Sequence, residues 1–363
     1  MTHKERVLRA LNHEETDRPP FQATFTPEFA DRLRREFHLP EQRTEPHHRT
    51  WYGYDLEILT GQDALQAGGG WVTNYYLKPE NYTDEWGVEW KIDPYETPFG
   101  TGHYTNIARN PLRDDDDLAM AYKAPDPLRP ELYRHVERLV REYGQEYYII
   151  GRVHGTLFET AWALRGLDTF MTDFYINPDL VCHLLDETGN YHRRMCLEMV
   201  KRGVDMIWLG DDMGAQQSLL IDPDLWREFF KPRMAAIIAD IKKANPAVKV
   251  AYHTDGCNYD IIPDLIEIGL DVLNPVQTEC MDPAVLEDKY GDRLCFFGGI
   301  AVQSTLPYGT PEEIRKEVDW LKGTLGRGGG WLSAPTHHVQ LDTPMENFFT
   351  MLDALGIEDK RPR

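Results

Sequence analysis

No stretch of this sequence approaches the roughly 20 consecutive apolar residues needed to cross a bilayer, so a helical membrane protein is excluded and a soluble chain is expected. Positive charge is also in short supply. Lys and Arg number 39 against 60 Asp and Glu, a formal net charge of -21. Nucleic acid and anionic membrane surfaces are repelled by such a chain, and neither is expected as a partner. Part of the excess is local, in RDDDDLA at 113–119, which reads as a solvated loop or a helix start. The five cysteines, Cys182, Cys196, Cys257, Cys280 and Cys295, form no CxxC pair and no dense framework. Disulfides are therefore not implied, and a reduced compartment is expected. Cys182, Cys196 and Cys295 read as small apolar packing residues. The start MTHKERVLRALNHEE is amphipathic and mixed in charge, without the apolar region of a secretory signal, which makes a cytoplasmic location the expectation. Two nucleotide-binding fingerprints are missing as well. Neither GxGxxG nor GxxxxGK[ST] occurs, and the glycines of GGGW and GRGGGW have the wrong spacing.

What the chain does contain is alternation. From about residue 147 onward, short β-rich apolar runs alternate with amphipathic helical stretches, the pattern of repeated βα units around a parallel sheet. The runs are YYIIGRV (147–153), VDMIWLG (204–210), VKVAYH (248–253), LDVLNPV (270–276), LCFFGG (294–299) and WLSAP (331–335). Between them, PDLVCHLLDETGNYHRRMCLEMVKRG places Leu180, Leu184, Tyr191, Met195 and Met199 on one face and predicts a long packed helix. Asp222 with Pro223, and Thr310 with Pro311, predict capped helix starts, and Pro232 predicts a kink or split. The first 146 residues are less regular. They predict a helix at about 3–12, a strand at PFQATF (20–25), a helix over TPEFADRLRREF, and an inserted β-hairpin at 71–95 that acts as a flap.

Polar, ionisable residues end nearly every run: RVHG, LGDDMG, YHTDGC, PVQTEC and APTHH. Barrel enzymes build their sites at the C-terminal rim from several strands, whereas a doubly wound nucleotide-binding sheet lacks its fingerprint here. The expected fold is an α/β (β/α)8 TIM barrel, one domain over 1–363 with the N-terminal hairpin inserted. The turns after the fifth and eighth strands then converge on one pocket, and the expected site holds Asp211, Asp212, His253, Asp255 and His337, with Glu279 and His338 as further candidates. Such a set binds a metal or shares protons. Adjacent strand residues point to opposite faces, which leaves open whether both Asp211 and Asp212 face the pocket. Cys257, two residues past Asp255, reads as local packing or as a fallback ligand.

The opening KERVLRALNHEETDRPP, the stretch GVDMIWLGDDMGAQQSLLIDPDLWREFFKP, and the segments AYHTDGCNYDIIPDLIEIGLDVLNPVQ, GGIAVQSTLPYGTPEEI and APTHHVQLDTPMENF resemble the uroporphyrinogen decarboxylase superfamily, which includes cobalamin-dependent methyltransferases. The resemblance spans essentially the whole chain and is strongest from residue 200 on. Decarboxylases of the family hold substrate carboxylates with an RxAGR segment after the first strand; this chain has QATFTPEF there and no arginine until Arg32. His337 matches the histidine of their last-strand turn. The zinc branch carries HxC on the fifth strand and a Cys on the eighth. His253 matches that histidine, while Asp255 and His337 stand where the cysteines would be, so a Zn2+ site of His253, Asp255 and His337 is implied, with Cys257 and Glu279 as weaker ligands.

The HTDG motif is similar to that of members that move a methyl group from a methyl ether or related donor to a corrinoid (cobalamin) on a separate small protein. The implied activity is methyl transfer from a small-molecule donor, aromatic or apolar, with a corrinoid-binding protein as partner and a homodimer by family analogy. A carboxy-lyase resembling uroporphyrinogen decarboxylase is one alternative. A binding barrel that has lost turnover is the other.

Overall fold

The computed structural model describes residues 1–40, 53–68 and 81–362. Ten strands follow in chain order: β1 (Ala64–Gly68), β2 (Tyr82–Thr83), β3 (Glu89–Thr97), β4 (Gly100–Arg109), β5 (Tyr148–Val153), β6 (Met206–Gly210), β7 (Lys249–His253), β8 (Val272–Asn274), β9 (Cys295–Ile300) and β10 (Trp331–Pro335). Strands β1 and β5 to β10 form one parallel sheet in the order β1-β5-β6-β7-β8-β9-β10. The predicted strand at 20–25 closes it. On one side the Ser333 N–H donates to the Pro20 carbonyl (2.9 Å) and the Gln22 N–H to the Ser333 carbonyl (3.0 Å); on the other the Asp63 N–H donates to the Phe21 carbonyl (2.8 Å). The sheet is thus an α/β barrel of the TIM type, with helices packed outside. All of the predicted runs from 147 onward are strands. β1 is a strand that the sequence did not single out, because ALQAG has no β-branched residue to mark it.

Strand periodicity sorts the core into two layers. Ile150, Met206, Trp208, Ala251, Val272, Phe297 and Leu332 fill the barrel interior. Their neighbours Ile149, Ile207, Leu209, Val250, Tyr252, Leu273 and Phe296 face the helices. Each buried Val, Leu, Ile, Met or Phe side chain among these contributes about 1.5–3 kcal/mol, so a one-residue slip, which swaps the layers, is strongly disfavoured. This register decides which rim residues point into the mouth.

The helices follow their local signals. Asp222 caps the predicted start by accepting from the Asp224 N–H, a π-helical turn covers Trp226–Phe230, and Pro232 lies in the first turn of the next helix, Lys231–Ala244. Thr310 and Glu313 form a reciprocal capping box. In the acidic run, Asp115 caps Asp116–Ala121. No helix among the described residues is long and apolar enough to cross a membrane.

The antiparallel unit differs from expectation. Of the predicted hairpin at 71–95, residues 71–80 lie outside the described residues. The hairpin that is described pairs β3 with β4, turning at Thr97–Gly100, with β2 on the far side of β3. β4 was not predicted because GTGHYTNIAR lacks the apolar alternation of a half-buried strand. Both the backbone N–H and the Nδ1 of His103 meet Glu28 Oε1, at 3.1 and 3.0 Å, which ties β4 to the helix Pro27–Glu36.

Candidate active site

The inward parity of the strands runs on past their ends. Trp208 on β6 leads two residues at a time to Gly210 and Asp212; Ala251 on β7 leads to His253 and Asp255; Val272 on β8 leads to Asn274. His253 is in register with Gly210 and Asn274 on either side. Glycine is required where the turns meet. A Cβ on Gly256 (φ +82°) would lie 2.5 Å from the Gly214 carbonyl carbon, and one on Gly214 would lie 2.3 Å from the Asp255 oxygen. The turns GDDMG and HTDG therefore pack backbone against backbone. The Asp255 N–H also donates to Asp212 Oδ1 (3.0 Å).

His253 is the centre of the constellation. Its Nδ1 lies 2.7 Å from Asn274 Oδ1, while Nε2 lies 3.5 Å from both Asp212 Oδ1 and Asp255 Oδ1. The Trp208 ring lies 4.7 Å from its ring and the His337 ring 6.4 Å from it. Behind Trp208 are the Arg152 guanidinium, 4.6 Å from the indole, and His154, 5.3 Å from it in an edge contact. Burial lowers the basicity of both His253 and His337, against the pull of the nearby acids. Burial, with the Asp212 carboxylate, lifts Asp255 to about 7.

Asp211 belongs to the other layer. Its two oxygens accept from the Leu157 N–H (3.1 and 2.9 Å) and one accepts from the Glu159 N–H (3.0 Å), at the start of the helix Phe158–Arg165. It is fully buried. Asp211 thus secures a helix N-terminus, in contrast to its expected place in the pocket, because odd-numbered residues of this strand face outward. Burial is also the largest influence on its carboxyl group and raises it, to about 8, against those N–H donors.

Among the described residues, Asp212, His253 and Asp255 are the one group of three ligand types whose donor atoms lie within 4.8 Å of each other. This revises the expected ligand set: Asp212 enters it and His337 stands outside. Cys257 is also outside, with its N–H bonded to the Ala215 carbonyl (2.8 Å), and exposed Glu279 accepts from Ser304 Oγ (2.8 Å). His338 packs edge-on against His337 at 4.9 Å. The trio fits a divalent ion. Two ligands about 2.1 Å from a tetrahedral ion are about 3.4 Å apart, against the 3.5 Å from His253 Nε2 to either carboxylate oxygen.

Several residues at the site were not foreseen. Glu159, at the helix start held by Asp211, is raised well above the ordinary carboxyl range by burial and by the charges of Asp212, Asp211 and Asp255. Tyr104 on β4 is 56% exposed, yet its hydroxyl is raised by burial and by Asp212, Glu159 and Asp255, which places the hairpin at the mouth. Arg152 and Trp208 were legible in principle from inward parity. Arg32, by contrast, donates to the carbonyls of Leu341 (2.8 Å) and Thr343 (3.0 Å) and lies over Phe99, away from the trio.

A parallel barrel with a histidine and two carboxylates at its C-terminal rim has the layout of a barrel enzyme. Residues 96–356 match the uroporphyrinogen decarboxylase (URO-D) family, and the chain belongs to that family. It is 23% identical over 184 residues to a uroporphyrinogen decarboxylase of Psychromonas ingrahamii, covering 50% of this chain and 49% of that protein. A uroporphyrinogen decarboxylase of Coxiella burnetii is 23% identical over 292 residues, covering 77% and 76% respectively. The matched stretch thus spans about half the length of the first relative and about three quarters of the second. In three dimensions the chain is similar to a methyltransferase from Methanosarcina mazei, with 21% identity, a TM-score of 0.72 and 98% of each chain covered. That likeness concerns the fold.

Proposed function

We propose that the protein is a corrinoid-dependent methyltransferase that takes a methyl group from a small donor, such as a methyl ether, and delivers it to a corrinoid on a separate small protein. The observation that carries this reading is the placement of His253 Nε2 between Asp212 and Asp255 at the barrel mouth. Cleaving a methyl–oxygen bond leaves an alkoxide or phenoxide, which departs slowly unless the oxygen receives a proton or a Lewis acid. Asp255, lifted to about 7, retains a proton into the neutral range and can hand it from Oδ1 to the leaving oxygen. His253 faces the same carboxyl group and can return the proton for the next turnover. A divalent ion held by Asp212, His253 and Asp255 would polarise that oxygen instead. His337 and Trp208 flank His253, and the hairpin brings Tyr104 to the mouth. The methyl acceptor is supplied by the partner, so this chain's part is to bind and orient the donor and to manage the proton.

The runner-up is a carboxy-lyase, favoured by the family match at 96–356. A polycarboxylate needs several charge-assisted partners. Near the trio, Arg152, a single cation, lies over the Trp208 face and acts on Glu159, His253 and His337, while Arg32, away from the trio, donates to backbone carbonyls. Methyl transfer from an aromatic methyl ether to a reduced corrinoid protein, followed by the corrinoid absorption spectrum, is the test. Loss of carboxyl groups from a porphyrinogen, without methyl transfer from any donor in a panel, overturns the proposal.

A further inference from the structure

Asn274 is the buried last residue of β8, level with His253 on β7. Its amide orientation is determined from two sides. Nδ2 donates to the Phe297 carbonyl (2.8 Å), and Oδ1 accepts from Trp208 Nε1 (2.9 Å), an indole nitrogen that can only donate. Reversing the amide would set two N–H groups against each other and two oxygens against each other. The oxygen is therefore the atom that faces His253 Nδ1 at 2.7 Å. A carbonyl oxygen has no hydrogen to give, so Nδ1 carries the hydrogen of that contact. In the neutral ring the remaining lone pair is then on Nε2, aimed between two carboxylate oxygens at 3.5 Å each. Once the Asp255 carboxyl gives up its proton, as a carboxylate ligand does on binding a metal, Nε2 and the two carboxylate oxygens converge on one gap that suits a cation.

The geometry points to Asn274, braced by Trp208 and Phe297, as a positioning residue that holds His253 in its Nδ1–H form and presents Nε2 to a divalent cation shared with Asp212 and Asp255. It rests on the metal-assisted version of the proposed function. The ring nitrogen opposite the metal is commonly held by such a partner, and removing that partner weakens metal affinity about 10–100-fold. Trp208 has two parts in the arrangement. Its N–H fixes the Asn274 oxygen, and its ring face fixes the plane of the imidazole.

The first test needs no substitution in the sample examined. Nitrogen–proton correlation spectra of the metal-free full-length protein at about pH 8, where imidazoles are neutral, report which ring nitrogen is protonated. His253→Gln identifies the signal by its disappearance. The expected result is a protonated Nδ1 and an unprotonated Nε2 at His253; an Nε2–H form overturns the proposal. The second test is competitive titration with zinc. Asn274→Leu should bind zinc about 10–100-fold more weakly, and Asn274→Asp, which restores an acceptor oxygen, should recover most of the loss. Wild-type affinity in Asn274→Leu overturns the proposal, as does a wild-type protein that binds no zinc. Should the leucine variant fail to fold, the wild-type tautomer still decides. Absence of methyl transfer, with tautomer and zinc affinity as expected, removes the methyltransferase reading and leaves the role of Asn274 intact.

Discussion

Asp211 and Asp212 are neighbours in sequence and serve different parts of the molecule, because consecutive strand residues face opposite layers. Asp211→Ala leaves the Leu157 and Glu159 N–H groups without their acceptor and should destabilise the fold by about 1–3 kcal/mol in urea unfolding. Asp212→Asn keeps an acceptor for the Asp255 N–H and should leave the unfolding midpoint close to wild type while weakening zinc binding at least about tenfold. Equal behaviour of the two variants would mean that the layer assignment is wrong. Asp255 gives a pH signature in the metal-free protein. Its carboxyl value rises from 3.8 to about 7 on folding, so between those values the unfolded chain has released the proton that the folded chain retains. Stability is therefore lost as pH rises through that window. Asp255→Asn removes the loss, and its melting temperature relative to wild type should be higher at about pH 8 than at about pH 4. The motifs at the strand ends drew out five candidates, of which Asp212, His253 and Asp255 come together. Their sorting was not legible there, since a carboxylate that holds a helix and one that faces a cavity are the same letter.

At the scale of elements, the site depends on two turns that touch through their backbones. Gly256 combines a left-handed φ of +82° with a Cβ position 2.5 Å from Gly214, so neither the conformation nor the space admits a side chain. Gly256→Ala should lower stability by on the order of 3 kcal/mol and weaken zinc binding together, as read by melting temperature and titration. A stable variant with wild-type zinc affinity would show that the turns need not touch. The hairpin is the instructive case for legibility. Aromatic alternation drew attention to 71–95, whereas the described pairing is between 89–97 and 100–109, where β4 is mostly polar. A strand that lies over a wet cavity mouth has no apolar face to advertise.

For the whole molecule, closure of the barrel is the condition for any site at all. Asp63 anchors it at the end opposite the mouth. Its side chain is fully buried and meets His3 (2.7 Å), Arg6 (2.6 Å) and Arg18 (2.7 Å), while its oxygen also accepts from the Phe21 N–H (2.9 Å). Burial alone would raise this carboxyl group, and the three basic partners hold it below the ordinary range. The stability it contributes is present above the ordinary carboxylate value and lost as pH falls through the folded one. Asp63→Ala leaves two guanidinium groups without a buried partner and should cost about 3–5 kcal/mol in urea unfolding. A smaller loss, within about 1 kcal/mol, would mean that the closing segment at 20–25 is held by its backbone bonds alone.

The chain by itself determined the repeating βα order, the helix caps, the family and the identity of the polar residues at the rim, because all of these are written in periodicity and local chemistry. Tertiary structure alone decided which of those residues meet. Barrel closure and strand register brought Asp212 into the group around His253, set His337 beside it, turned Asp211 toward a helix and placed Asn274 behind the imidazole. Those outcomes depend on distances across the sheet between residues far apart in sequence, which no local pattern encodes.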